Sequence, residues 1–176
     1  MWCPQPVDTP WPAREGDMKQ DVFDILLYLF ENYMVDESEL EHDRDSLQIE
    51  LQDAGFRKHE ISKAFDWLEG LSAIDYDGEV RRGDTQSFRI YSDEEMAKLD
   101  SDCRGFLLFL EQMGVLDQAT REMVIDRVMA LDNSDEVELD QLKWVILMVL
   151  FNQPGQEAAV AWMEDLVLDE VVAQIH

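Results

Sequence analysis

The side chains able to do chemistry are few and scattered. Cys103 is the one candidate nucleophile inside the patterned part of the chain. Arg104 beside it would favour the thiolate a little. A thiol nucleophile also needs a base, and the histidines (His42, His59 and His176) lie far apart and away from it in sequence. The expected role of Cys103 is therefore a buried structural thiol, with a thiol-dependent enzyme as a second alternative. Nor is there a glycine-rich loop to cradle a phosphate. The carboxylates of Asp36-Glu37-Ser38-Glu39-Leu40-Glu41-His42-Asp43 lack the turn glycine and ordered spacing that a hard cation needs, so a solvated connector is expected. Asp75-Tyr76-Asp77-Gly78 is similar to part of a calcium loop. With Gly78 in the glycine position, Ala73 would stand in place of the first ligand and Asp84 in place of the bidentate Glu, so the motif fails. No catalytic, cofactor or metal residue is assigned, and a non-enzyme without cofactor is expected.

One cluster of basic residues remains: Arg57, Lys58, Lys63, Arg81, Arg82 and Arg89. Its meaning depends on the elements that carry it. Val22, Ile25, Leu26, Leu29, Phe30 and Tyr33 recur at helical spacing, which predicts a helix over 21–34. A short helix follows from Arg44 to Ala54, with Leu47 and Leu51 one turn apart and Gly55 as its stop. Residues 57–69 form a third helix, with Ile61, Ala64, Phe65 and Leu68 on one face. Beyond Gly70 the pattern alternates in Ala73–Tyr76 and Ser87–Tyr91, around the turn signals Asp77-Gly78 and Gly83-Asp84. Three helices and a hairpin are the order of a winged helix, whose usual use is nucleic-acid binding through the third helix. Here Glu60, Asp66, Glu69, Asp75, Asp77, Glu79 and Asp84 interleave with the basic residues and cancel the patch. Direct nucleic-acid binding through residues 57–91 is the alternative, and protein contact is preferred.

The second half reads as a helical bundle. Ser92-Asp93-Glu94-Glu95 is a capping box opening a helix that runs through Met96 and Leu99 towards Gly105. Gly105 is expected to bend it or admit a close backbone. Phe106–Leu110 forms an apolar block, and Asp117 caps a helix with Met123, Val124, Val128 and Leu131 on its inner face. The most apolar stretch is Leu142–Phe151, in which no polar side chain interrupts Trp144–Phe151. Acids from Asp135 suggest a helix start, and Pro154-Gly155 a stop, leaving roughly 15 residues, too long for an ordinary strand. Crossing a membrane takes about 20 apolar residues, so this is expected to be the central core helix. Lys143 is expected at its surface end, and Trp144 and Phe151 inside. After Gly155 a last helix turns Ala158, Ala161, Trp162, Leu166 and Val167 inward. Leu51–Gly55 weakly echoes Leu110–Gly114.

The whole is a mainly α chain. An N-terminal extension (1–17), proline-rich and aperiodic, is expected to be disordered, with Met18 as the expected start of the patterned chain. A winged-helix-like three-helix module with a small β-hairpin (18–91) is expected to pack on an α-helical bundle (92–176). Hydrophobic residues make up 46% of the 176, enough for a core. Forty acids against fourteen basic residues give a net charge of −26, spread along the chain rather than gathered in a tail. Such a field repels nucleic acid and anionic membranes and attracts basic partners. Two cysteines make no disulfide framework, and no apolar leader follows a basic start, so a cytoplasmic protein is expected.

Several blocks carry a resemblance. Phe23–Glu31, Cys103–Gln112, Thr120–Asp132 and Leu142–Asn152 resemble signature blocks of the bacterial Smg family, and the likeness covers about residues 18–176. The family brings no catalytic residues. Its members' genes often stand beside those of a DNA-uptake protein and a topoisomerase, which implies a DNA-processing context. The expectation is a non-enzymatic acidic adaptor that binds a basic protein partner.

Overall fold

The computed structural model describes residues 22–34, 43–74, 89–131 and 136–175. Among them the chain is mainly helical, and its one β feature is a single parallel bridge between Leu99 and Val137. The elements are α1 (Val22–Leu29), continued by a π-helical turn (Phe30–Met34), α2 (Arg44–Asp53), α3 (Lys58–Ser72), α4 (Asp93–Lys98), α5 (Ser101–Gln112), α6 (Gln118–Met129), α7 (Leu139–Phe151) and α8 (Glu157–Ile175).

Caps place several of the boundaries. Ser92 Oγ accepts from the Glu95 N–H, and the Ser92 N–H donates to the Glu95 carboxylate, closing the expected capping box. Asp100 and Asp117 each accept an N–H three residues on, at 2.7 Å. The start of α7 differs from expectation. Glu138 and Gln141 form its capping box, while Asp135 lies outside the described residues. The helix expected from Ser92 to Gly105 is also two helices. Leu99 is extended (φ −108°, ψ 108°), and the Lys98 carbonyl accepts from the Val137 N–H at 2.9 Å. That bond to a distant segment stops α4. Gly105 then sits inside an uninterrupted α5, where a Cβ would meet no atom within 4 Å.

The echo between Leu51–Gly55 and Leu110–Gly114 is a shared stop. In each, the glycine has positive φ (102° and 74°), and the next N–H reaches back to the buried leucine's carbonyl, at 3.0 Å for Phe56 to Leu51 and 2.9 Å for Val115 to Leu110. This is the Schellman arrangement, which needs a residue free to adopt the left-handed conformation.

The later helices pack around α7. From Val145 to Leu150 every side chain is buried, as is Leu142. α6, α8 and α5 cover it from three sides. Phe30, carried by the π turn, meets Trp144 and Phe151 edge-on at 6.0 and 5.5 Å between ring centroids. Trp144, expected inside, is only half-buried, and two further residues depart from expectation. Lys143 is not at the surface but 3% exposed. Its helical position faces α5, so its stem is covered while the ammonium lies 5.6 Å from the Phe106 ring centroid and 3.9 Å from Asp140. Phe151, at the C-terminal end of α7, is 37% exposed rather than fully inside.

The first three helices pack α1 and α2 onto α3. They share one buried cluster with the later helices. Trp67 Nε1–H donates to the Arg127 carbonyl at 2.8 Å, and Arg127 Nη1 donates to the Trp67 carbonyl at 3.1 Å. Gly70, expected to end α3, lies within it; a Cβ there would come within 2.3 Å of the Arg127 guanidinium. The expected hairpin lies mostly outside the described residues. Of its ends, Ala73 caps α3 in helical conformation, and Arg89, Ile90 and Tyr91 are in no strand. The proposed extension 1–17 and nearly all of the connector 36–43 lie outside them too.

If α7 is the shared centre, Ile146→Ala should lower stability by about 2–5 kcal/mol, whereas Met113→Ala on the surface should change it by less than about 0.5 kcal/mol. Urea unfolding followed by circular dichroism measures both; a neutral Ile146→Ala would refute the central role of α7.

Candidate functional site

The densest group of ionised side chains joins the segment before α4 to α4, α5 and α6. Arg89 makes two carboxylate pairs at once. Its Nη1 and Nη2 donate to Glu95 at 2.9 and 2.7 Å, and its Nε and Nη2 to Glu122 at 2.7 and 3.0 Å. Arg121, only 9% exposed, donates to both oxygens of Glu111 and, from Nε and Nη2, to Glu122. Tyr91 lies under two guanidiniums, with Arg89 at 4.7 Å and Arg104 at 5.8 Å from its ring centroid. The hydrogen bonds from Arg89 hold the Glu95 carboxyl down at about 2, against a usual 4.5, with the Ser92 cap adding to the effect. For Glu122, burial opposes ionisation, and the bonds from Arg89 and Arg121 overcome it, so its carboxyl also stays below the ordinary range. Bidentate pairs of this kind fix geometry. Their donors and acceptors face one another, so the cluster braces the fold. The sequence offered no local signal for it, because Arg89 and Glu122 stand 33 residues apart.

The residues expected to contact nucleic acid do not share one condition. Arg57 and Lys58 are exposed at the start of α3. Lys63 is half-buried and lies 3.8 Å from Glu60. Arg89 is held in the cluster just described. Arg81 and Arg82 lie outside the described residues.

Cys103 is fully buried. Its thiol lies 3.4 Å from the Val137 carbonyl. Burial, then the Asp100 carboxylate beside it, pushes the thiol up to about 12. His59 is exposed on α3. Among the described residues no group of three or more His, Cys, Asp or Glu could hold a metal ion. A cleft of ≈ 300 Å³ opens between the end of α3 and the turn after α7, lined by Leu71, Met123, Val149 and Gln153 among others. None of the described residues lining it is ionisable. The buried Gln153 amide is engaged locally, bonding to Thr120 Oγ1 at 3.3 Å and Met123 Sδ at 3.0 Å.

Large apolar side chains stand in solvent on α5: Leu108 at 44%, Phe109 at 43% and Met113 at 59% exposed. Phe109 contacts Trp162 of α8, with ring centroids 6.3 Å apart. No helix among the described residues is long and apolar enough to cross a membrane.

Fold and surface together define a mainly α-helical, strongly acidic chain with an arginine–glutamate brace and an exposed aromatic face. Residues 22–176 match the family model described as "Protein of unknown function (DUF494)". The chain belongs to this family, whose curated members are named Smg. It is 58% identical over 161 residues to the Protein Smg homolog of Nitrosococcus oceani, covering 90% of this chain and 100% of that one. The Alkalilimnicola ehrlichii homolog is 55% identical over 159 residues, with 90% and 100% covered. That of Xanthomonas oryzae pv. oryzae is 58% identical over 155 residues, with 87% and 97% covered. No solved structure matches the chain.

Two outcomes follow from the geometry. Native protein at neutral pH should leave Cys103 unlabelled by iodoacetamide over a time that labels it fully in urea; rapid native labelling would return a thiol chemistry to consideration. The Glu95 carboxyl is depressed, so its contribution to stability is present above about pH 4.5 and is lost as pH falls towards 2. Urea midpoints across that window should therefore fall less steeply for Glu95→Gln than for the wild type, and parallel slopes would mean that Arg89 does not hold Glu95 in solution.

Proposed function

We propose that this protein is a non-enzymatic, cytoplasmic interaction protein whose acidic surface engages a basic protein partner. The observation that carries this is where the charge goes. Against forty acids the chain has fourteen basic residues; among the described ones Arg44, Arg89, Arg121 and Arg127 pair with carboxylates and Lys143 is buried, while Arg57 and Lys58 are exposed. Five of the cations are thus committed within the chain, and none of the described acids is buried. A surface of one sign raises the encounter rate with cationic partners and disfavours nucleic acid. The DNA-processing context implied by the family resemblance is consistent with this. Proteins that handle DNA carry positive surfaces, so the partner is read as one of those and the acidic chain as its adaptor.

A second reading keeps direct nucleic-acid binding through a winged-helix-like module of residues 57–91. The exposed Arg57 and Lys58 at the N-terminal end of α3 favour it. The double commitment of Arg89 and the acids Glu60 and Asp66 on the same helix weigh against it.

Affinity capture with the full chain from cell extract separates the two. Basic proteins should be enriched at about 50 mM salt, survive nuclease treatment and be lost at about 0.5 M salt, where the Debye length falls to a few ångströms. Capture that disappears with nuclease would transfer the case to nucleic acid. Absence of any enriched basic protein at low salt would overturn the proposal.

A further inference from the structure

The reading above names a charge but not a place. The exposed apolar side chains supply one. On α5, Asp102, Gly105, Phe106, Phe109 and Met113 fall on one helical stripe, since residues three and four apart share a face. Phe106 and Phe109 stack with centroids 6.4 Å apart, and Phe109 continues the surface onto Trp162 of α8. Beside Phe106 and one turn before Phe109, Gly105 leaves open space where a side chain would begin. Met113, 59% exposed at the end of the stripe, offers a flexible, polarisable side chain able to adapt to an incoming surface. Exposed Phe109 and Met113, with the half-buried Phe106 and Trp162 beside Phe109, make an apolar patch of the kind that marks contact sites.

The rim decides what it contacts. Asp102 is exposed one turn before Phe106, and Asp165 is exposed three residues after Trp162. Lys143, whose ammonium lies against the Phe106 ring, is itself buried and pairs with Asp140, and from Trp144 to Val167 there is no Lys or Arg, while Glu157, Glu164 and Asp165 fall there. On α5 the one cation, Arg104, points away from the stripe, where it donates to the Asp100 carbonyl and covers Tyr91. An apolar stripe with an anionic rim fits an amphipathic helix with an apolar stripe and a cationic rim. A second copy of this chain would bring like charge against like. An anionic lipid surface or a nucleic acid would be repelled in the same way.

We infer that the α5–α8 face, centred on Phe109, Met113 and Trp162, is the docking site for a basic amphipathic helix of the partner protein. This rests on the basic-partner reading and adds the place and the form. Apolar side chains of the incoming helix cover Phe109 and fill the open space over Gly105. Its Lys and Arg residues flank Asp102 and Asp165.

The test uses the full chain and a defined probe. This is a labelled peptide of about 18 residues, five helical turns, with leucines on one helical face and lysines elsewhere. Its control is a scramble of the same composition. Anisotropy titrations should show the periodic peptide binding at least about tenfold tighter than the scramble. Met113→Asp and Phe109→Ser should each weaken it by about tenfold or more, while Ile49→Asp, on the exposed side of α2, leaves it unchanged. Met113 is largely exposed, so its variant stays informative even where Phe109→Ser loses stability. Asp102→Asn with Asp165→Asn should weaken binding and flatten its salt dependence.

Equal binding of the two peptides, or wild-type affinity in both face variants, overturns this site and leaves the basic-partner reading standing. Failure of both peptides to bind overturns both readings. A wild-type dimer in sedimentation that Met113→Asp converts to monomer assigns the face to a second copy instead, and overturns the inference.

Discussion

The burial of α7 on nearly all sides is the constraint on which the fold depends. An ordinary amphipathic helix needs cover along one stripe only. Here six consecutive side chains, Val145 to Leu150, are buried, so partners must approach from several directions. α6 and α8 supply two of them, α5 a third, and Phe30 closes the end near Trp144 and Phe151. At roughly 1.5–3 kcal/mol for each large apolar side chain removed from water, this helix contributes more than any surface ion pair. It also explains why the first helices and the later ones share one buried cluster. The reciprocal Trp67–Arg127 hydrogen bonds join them at a second point, and Gly70 leaves the room that the guanidinium occupies.

Charge has a different distribution from apolar surface. The net charge of −26 would work against compaction if it were left unrelieved. The paired arginines relieve it locally. Arg89 ties the segment before α4 to both α4 and α6, and Arg121 ties α6 to α5. The Arg89 pairs are bidentate, and both guanidiniums are partly withdrawn from water, so they order the chain more than isolated surface pairs would. The consequence is a surface with a large acid excess. Against that background the α5–α8 face is unusual in combining exposed aromatic rings with the same negative sign.

Much of the fold was legible in sequence. The capping box at Ser92, the cap at Asp117 and the stop at Gly55 are local chemistry, set within four or five residues, and the structure has them where the spacing placed them. The inner face of α6 and the thirteen-residue core helix α7 follow from hydrophobic pattern. Boundaries governed by distant contacts were not legible. The break at Leu99 depends on a hydrogen bond from Val137, and Gly70 looks like a helix end until Arg127 is placed against it. Lys143 looked like a surface charge because its type usually is one; its position against Phe106 comes from the rotation of α7 relative to α5.

By itself the sequence determined the helical class, the central run, the acid excess and membership of the family, because each depends on residue type, spacing or block identity. Tertiary structure alone decided which charges cancel and which apolar residues stay in solvent. Arg89 and Glu122 become partners only when α6 is laid beside the segment before α4. Phe109 reads as core in the run Phe106–Leu110, yet α5 turns it outward, because its inner face is filled by Cys103, Leu107 and Leu110. A helix of that length has one face for the core and one for water, and pattern alone does not say which aromatic residue falls on which.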